Sequence, residues 1–278
     1  MSTQDSSIGS PLGKKVVYET EYNPALLYPI PRAEKRAELG IAGALPFVGA
    51  DIWNAYEISW LNLRGKPVVA LGVFTVPADS PNIVESKSLK LYLNSFNQSR
   101  LADIAEVEAR IAGDLGRAVG AAVDVRLEDV ATATRLSGVP AGVCIDDLDI
   151  EIDQYEPVPG LLSTRPDSVV ANETLYSHLL KSNCLVTGQP DWGMLAVRYS
   201  GPAIDREALL RYIVSFREHN EFHEQCVERI FMGIQEQCRP EQLAVWARYT
   251  RRGGLDINPV RASSQEWADI GNPFEARQ

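Results

Sequence analysis

Glu85-Ser86-Lys87-Ser88-Leu89-Lys90-Leu91-Tyr92-Leu93-Asn94-Ser95-Phe96 decides how the rest of the chain is read. Its apolar positions Leu89, Tyr92, Leu93 and Phe96 recur at three- and four-residue spacing, which predicts a helix with one buried face. The same skeleton returns downstream, where Leu209, Tyr212, Ser215 and Phe216 repeat Leu89, Tyr92, Ser95 and Phe96 at a constant offset of 120. Upstream of each copy a similar tripeptide, Gly65-Lys66-Pro67 or Gly188-Gln189-Pro190, leads into an apolar stretch, Pro67 to Val76 or Met194 to Tyr199. The first of these is rich in β-branched residues, as a buried strand should be. A repeated order of turn, strand, loop, helix, second helix and strand is the mark of a duplicated unit. Strands and helices in this order predict an α+β fold, with antiparallel sheets and helices on one face, built twice.

Working outward, Leu101 to Leu115 continues in helical style, Ala121 to Leu127 reads as a strand, and Ile150-Glu151-Ile152-Asp153 alternates like another. Proline and glycine between Pro157 and Asp167 mark a linker. In the second half Asp205 is suited to cap one helix and Asn220 another, and Leu243 to Thr250 reads as a closing strand. The expected division is an N-terminal arm over 1–49, polar and interrupted by prolines, a first module over 50–160 and a second over 161–278.

The length of 278 residues allows an ample core, and a formal charge of -10 argues against wholesale binding to nucleic acid or an anionic membrane. No apolar run approaches the roughly 20 residues of a membrane span. The polar start lacks the apolar block of a secretory signal, so a cytoplasmic protein is expected. Cys144, Cys184, Cys226 and Cys238 form no CxxC pair and read as reduced thiols.

Chemistry concentrates in Lys181-Ser182-Asn183-Cys184-Leu185-Val186-Thr187-Gly188-Gln189-Pro190-Asp191-Trp192-Gly193. Fully extended, Cys184 and Asp191 would lie roughly 23 Å apart. A reversal at Gly188-Gln189-Pro190 can bring them together, giving a nucleophilic thiol and an acid to serve the group it attacks. Cys184 as a small apolar filler at a strand end is the structural alternative. His219 and His223 are four apart, a spacing that could hold zinc on a continuous helix. A helix break at Asn220 would spoil that face, which favours His223-Glu224 as a proton mover and a carboxylate for paired N–H donors. Lys87 and Lys90 in a first helical turn, with Arg251-Arg252-Gly253-Gly254, suit a phosphate, although no Rossmann or P-loop signature is present. The halves differ in these polar residues, and that division suggests one composite site between halves or between subunits.

Glu85 to Tyr92, Cys184 to Asp191, Phe222-His223-Glu224 and Thr250 to Gly254 together resemble the NADPH-dependent nitrile reductases of queuosine biosynthesis in their long two-module form. The resemblance runs from about Pro46 to Arg261. It implies two tandem tunnelling-fold (T-fold) modules. It also implies that Cys184 attacks the nitrile carbon of 7-cyano-7-deazaguanine to form a covalent thioimide, and that Asp191 protonates the nitrogen. Two NADPH would deliver hydride in turn, and His223 would assist proton movement and shield the intermediate. By the same resemblance Val84, Glu85, Ser86, His223 and Glu224 would hold the substrate. Ser86, Lys87, Arg252 and Gly253 would contact NADPH, with Arg252 on a phosphate. It implies a homodimer, a small deazapurine nitrile as partner, and no metal, nucleic acid or membrane. The rival readings are a zinc-dependent cyclohydrolase on the same fold and a non-catalytic pterin- or purine-binding scaffold.

Overall fold

The computed structural model describes residues 18–134 and 137–278. In chain order the elements are β1 (Pro29–Pro31), α1 (Ala33–Glu38), β2 (Val48–Leu61), β3 (Pro67–Pro77), β4 (Asn82–Val84), α2 (Ser86–Ser95), α3 (Ile104–Val119), β5 (Asp124–Asp129) and β6 (Val143–Cys144). They continue with β7 (Thr164–Asn183), β8 (Pro190–Ile204), α4 (Arg206–Ser215), α5 (His223–Cys238), β9 (Gln242–Tyr249), β10 (Leu255–Ala262) and α6 (Gln265–Ala268). Short 3-10 turns, Phe96–Gln98 and Phe216–Glu218, follow α2 and α4.

The chain divides into two compact units. The first comprises residues up to Ala37, Asp51–Thr134 and Arg251–Asp256, and the second comprises Glu38–Ala50, Arg135–Thr250 and Ile257–Gln278. Strand order is β5-β3-β2 in the first and β10-β9-β8-β7-β6 in the second. The pairs β3–β5, β7–β8, β8–β9 and β9–β10 are antiparallel, and the short β6 joins β7 in parallel. The molecule is therefore α+β with predominantly antiparallel sheets. Among the described residues no helix is long and apolar enough to cross a membrane.

Each unit buries one stripe of its long helix. In α3 Val107, Ile111, Leu115 and Val119 are buried at a spacing of four, and in α5 Val227, Ile230, Phe231 and Ile234 are buried. Each such side chain contributes about 1.5–3 kcal/mol on leaving water. The repeat in the sequence is a repeat in structure. Ser95 donates its hydroxyl to Tyr92 O and Ser215 to Tyr212 O, both at 2.6 Å. The rings of Tyr92 and Phe96 meet edge-on at 5.2 Å, and those of Tyr212 and Phe216 at 5.3 Å.

Three expectations need correction. Ile150 to Asp153 forms no strand; the segment alternates in burial without a neighbouring strand to pair with. Asn220 does not cap α5. Phe222 is the residue before that helix, and Asn220 lies two residues further back, set opposite Asn183 by the backbone bonds of its neighbours His219 and Glu221. Residues Thr164 to Asp167, read as linker, already belong to β7.

Candidate active site

The hairpin joining β7 to β8 positions the thiol and the acid. Cys184 follows the last residue of β7, donates its backbone N–H to Gln189 O at 2.8 Å and accepts from Gly188 N at 2.9 Å. Gly188 has φ +66, and nothing lies within 4 Å of where a Cβ would stand, so backbone conformation rather than space demands glycine there. Across the hairpin Asn183 pairs with Pro190 and Ser182 with Asp191. The thiol and the carboxylate are thus at the root of one turn, both buried.

His223 opens α5, and its Nε2 lies 3.3 Å from Asp191 Oδ2. Its ring stacks on Tyr249 with centroids 3.8 Å apart and planes 13° from parallel. Tyr249 reaches that position from β9, opposite Gly193 of β8. A Cβ at Gly193 would come within 3.2 Å of the Tyr249 ring and 3.1 Å of Arg248 O, so this glycine makes room for the stack. Sequence reasoning missed this role for both Tyr249 and Gly193. The adjacency of Tyr249 to Thr250-Arg251-Arg252 and of Gly193 to Asp191 was the available signal. His223 Nδ1 is buried and has no hydrogen-bond partner among the described residues.

The other thiols narrow the choice of nucleophile. Burial pushes the Cys226 thiol up to about 12 and the Cys238 thiol up to about 11. Cys144 is also raised, chiefly by burial. Those three thiols stay protonated at neutral pH. The Tyr249 phenol is held well above its ordinary range by burial first and then by Cys226 and Asp191, so it too stays neutral.

The two histidines considered for zinc face different partners. His219 Nε2 is 3.0 Å from Glu221 Oε2, whereas His223 faces Asp191. Arg229 completes the Glu221 cluster with two bonds, 2.7 and 3.0 Å. Burial opposes ionisation of Glu221, but the hydrogen bonds from His219 and Arg229 outweigh it and hold the carboxyl below its ordinary value.

Val84, Glu85, Ser86, Lys87, Arg252 and Gly253 belong to the first unit, and Cys184, Asp191, His223 and Glu224 to the second. Val84 ends β4 and is buried. Glu85 is buried as the N-cap of α2, its carboxylate accepting from Lys87 N at 2.8 Å and Ser88 N at 2.9 Å. Ser86 and Lys87 start that helix, and Glu224 is buried in the first turn of α5. One turn along α2, Lys90 reaches the turn after β9, where Gly253 and Gly254 have φ +59 and +79. Lys90, Asn94, Asn97, Gly253 and Gly254 line an open pocket together with Glu57, which lies 3.7 Å from the lysine. An ammonium, two side-chain amides and a two-glycine turn suit an anionic group such as a dinucleotide phosphate. Lys90 stands out beside Lys87 in the sequence, but only the fold sets it against Gly253.

Comparison with known proteins adds an independent finding. A family model described as nitrile reductase, 7-cyano-7-deazaguanine-reductase N-term, matches residues 18–127, and one described as QueF-like protein matches residues 190–268. The NADPH-dependent 7-cyano-7-deazaguanine reductase of Azoarcus sp. (strain BH72) is 67% identical over 259 residues, covering 92% of each chain. The protein of that name from Dechloromonas aromatica (strain RCB) is 62% identical over 276 residues, 99% of this chain and 97% of its own. That from Ralstonia nicotianae is 59% identical over 273 residues, 97% and 98%.

Proposed function

The chain belongs to the NADPH-dependent 7-cyano-7-deazaguanine reductases, and from that premise we propose that Cys184 adds to the nitrile carbon while Asp191 delivers a proton to the nitrile nitrogen. The protein is a nitrile oxidoreductase of queuosine biosynthesis that converts 7-cyano-7-deazaguanine to the 7-aminomethyl compound. The observation that carries the residue assignment is the hairpin, which sets Cys184 and Asp191 at one turn with His223 against the acid.

The addition places sulfur on carbon and the thiol's proton on nitrogen, so a neutral thioimide forms with no net loss or gain of protons. Asp191 is the relay for that proton. His223, 3.3 Å from Asp191, passes to that acid the two solvent protons that the later hydride steps consume, and its stack on Tyr249 keeps the imidazole from turning away. The His223 Nδ1, buried and unpartnered, is the nitrogen left to meet a polar substrate group. Glu85 and Glu224 are buried carboxylates able to accept the paired N–H groups of a guanine-like edge, with Val84 and Ser86 beside the first. Two NADPH, bound in turn, would each supply one hydride, which with two protons takes a nitrile by four electrons to an amine. Ser86, Lys87, Arg252 and Gly253 would hold each NADPH, and Lys90 joins them as a phosphate contact. We further propose that the chain comprises an arm over 1–49 and modules over 50–160 and 161–278, that both modules have the tunnelling fold, and that the protein is a cytoplasmic homodimer.

The test is mass spectrometry of the intact protein incubated with 7-cyano-7-deazaguanine, before and after NADPH, beside Cys184→Ala. A substrate-sized adduct on the parent alone, discharged as NADPH is oxidised, is the expected result. NADPH oxidation that continues in Cys184→Ala without an adduct would sink the covalent route.

A further inference from the structure

Away from the hairpin, the second unit gathers three side chains of types able to ligate a metal. Cys144 lies on β6, opposite Tyr176 of β7. Two residues on, the Asp146 carboxylate accepts the backbone N–H of His178 at 3.0 Å. The pairing of β7 with β8 slips between Ser177 and Leu180, so His178 sits in an irregular step that re-aims its side chain. Cys144, Asp146 and His178 each offer one donor atom, and these atoms lie within 4.8 Å of one another.

Two features separate this group from a chance cluster. Asp146 Oδ1 is shut off from solvent and has no hydrogen-bond partner among the described residues. The buried Glu275 holds His178 Nδ1 at 3.0 Å and is itself gripped by Arg277 at 3.1 and 3.2 Å. A carboxylate on Nδ1 fixes the tautomer that leaves the Nε2 lone pair for a metal, the usual support behind a ligating histidine.

We propose that Cys144, Asp146 and His178 form a site for one divalent transition-metal ion of the zinc class, with Glu275 orienting the histidine. Thiolate, imidazole and carboxylate together favour Zn²⁺ or Co²⁺ over Mg²⁺ and Ca²⁺. Three protein donors leave the fourth tetrahedral position to water. Bonds of about 2.0–2.3 Å would place the donors roughly 3.3–3.7 Å apart, so the side chains close by about an ångström on binding. Without an ion the Cys144 thiol is held protonated by burial, helped by the carboxylates of Asp146 and Asp147 and opposed by the Asp146 N–H. A cation displaces that proton to solvent and forms the metal–sulfur bond, with no change of oxidation state. The ion would fasten β6, β7 and the C-terminal tail, which already touches the chain before β6 through Gly138 N–H to Phe274 O. The ion has no part in the reduction, and the proposal does not depend on the reductase assignment.

Chelator-stripped full-length protein carrying Cys184→Ala, which removes the hairpin thiol as a competing ligand, is titrated with Co²⁺. The expected result is one equivalent bound with a thiolate-to-cobalt charge-transfer band, displaced by Zn²⁺. Cys144→Ser loses the band. Glu275→Gln keeps it but weakens binding roughly 10- to 100-fold. Absence of the band in the starting protein, or its survival in Cys144→Ser, overturns the site. Should Cys144→Ser fail to fold by circular dichroism, His178→Gln and Glu275→Gln decide: Co²⁺ affinity unmoved by either also overturns it.

Discussion

At the end of β2, Asn62 donates its backbone N–H to Lys66 O at 2.9 Å, and at the end of β7 Cys184 donates to Gln189 O at 2.8 Å. The strand residue before each turn makes the same kind of parallel bridge, Leu61 to Arg100 and Asn183 to Asn220. Each turn carries a glycine of positive φ, Gly65 at +84 and Gly188 at +66, and then a proline that opens the next strand, Pro67 or Pro190. Matching the two copies from these anchors sets Asn62 against Cys184, Val68 against Asp191, and Ile104 at the start of α3 against His223 at the start of α5. Leu101 and Glu221 correspond too, each donating its backbone N–H to the strand end, Leu61 O or Asn183 O. One scaffold thus supplies the same positions twice, and only the second copy fills them with a thiol, an acid and an imidazole. The backbone sets where the groups stand, and the reactivity proposed for the second turn rests on its side chains alone.

The comparison breaks most sharply at the thiol. Cys184→Ala should lower kcat by on the order of 10⁴-fold or more, as loss of a covalent nucleophile does. Steady-state NADPH oxidation measures it, and a variant within tenfold of the parent would put Cys184 on a level with Asn62. Asp191→Asn should cost roughly 10²–10⁴-fold, the range of general acid catalysis, and remove the corresponding limb of the pH–rate profile. A loss seen only in KM would make Asp191 a binding group instead.

Glu221→Gln tests the buried charge that replaces Leu101. The mutation takes from His219 and Arg229 their shared buried anion, leaving Arg229 only the more exposed Glu38 at 3.6 Å, and should cost roughly 3 kcal/mol, measured by urea unfolding at neutral pH. The folded-state carboxyl is held below its ordinary value of 4.5. Its contribution is therefore complete above about pH 4.5 and is lost as pH falls through the lowered value. The variant's disadvantage should accordingly shrink in acid, and a gap that stays constant down to pH 2 would show that the charge is not what stabilises. Gly193→Val presses a side chain on Tyr249 and should cost about 1–3 kcal/mol, with a fall in activity from the disturbed His223 stack. Asn62→Ala removes the side-chain acceptor of Arg64 N and Lys66 N, both at 3.0 Å. Stability should drop by about 1 kcal/mol with kcat unchanged, so any large kinetic effect would mean that the first turn takes part in chemistry.

Much of the fold was legible because duplication prints itself twice. The helix over 85–96 appears as α2 with Glu85 as its cap, and Asp205 caps α4 through Ala208 N. Strand β10 was not anticipated, since Leu255 to Ala262 alternates Asp256, Asn258 and Arg261 with its apolar residues, yet every residue of it is buried. Partners elsewhere satisfy those polar groups. Arg261, for example, bonds Glu228 of α5 at 2.8 and 3.0 Å. The metal-ligating group was equally hidden, because Cys144 and His178 are 34 positions apart and only the pairing of β6 with β7 makes them neighbours.

The sequence by itself determined the duplicated α+β plan, the turn at Gly188-Gln189-Pro190 and the candidate nucleophile, since periodicity, capping and turn chemistry are local properties. Tertiary structure decided which polar groups face one another. It sent His223 to Asp191 and His219 to Glu221, laid Tyr249 under the imidazole, and brought Lys90 to Gly253. Such contacts depend on strand register and helix placement over long separations, which no local pattern encodes.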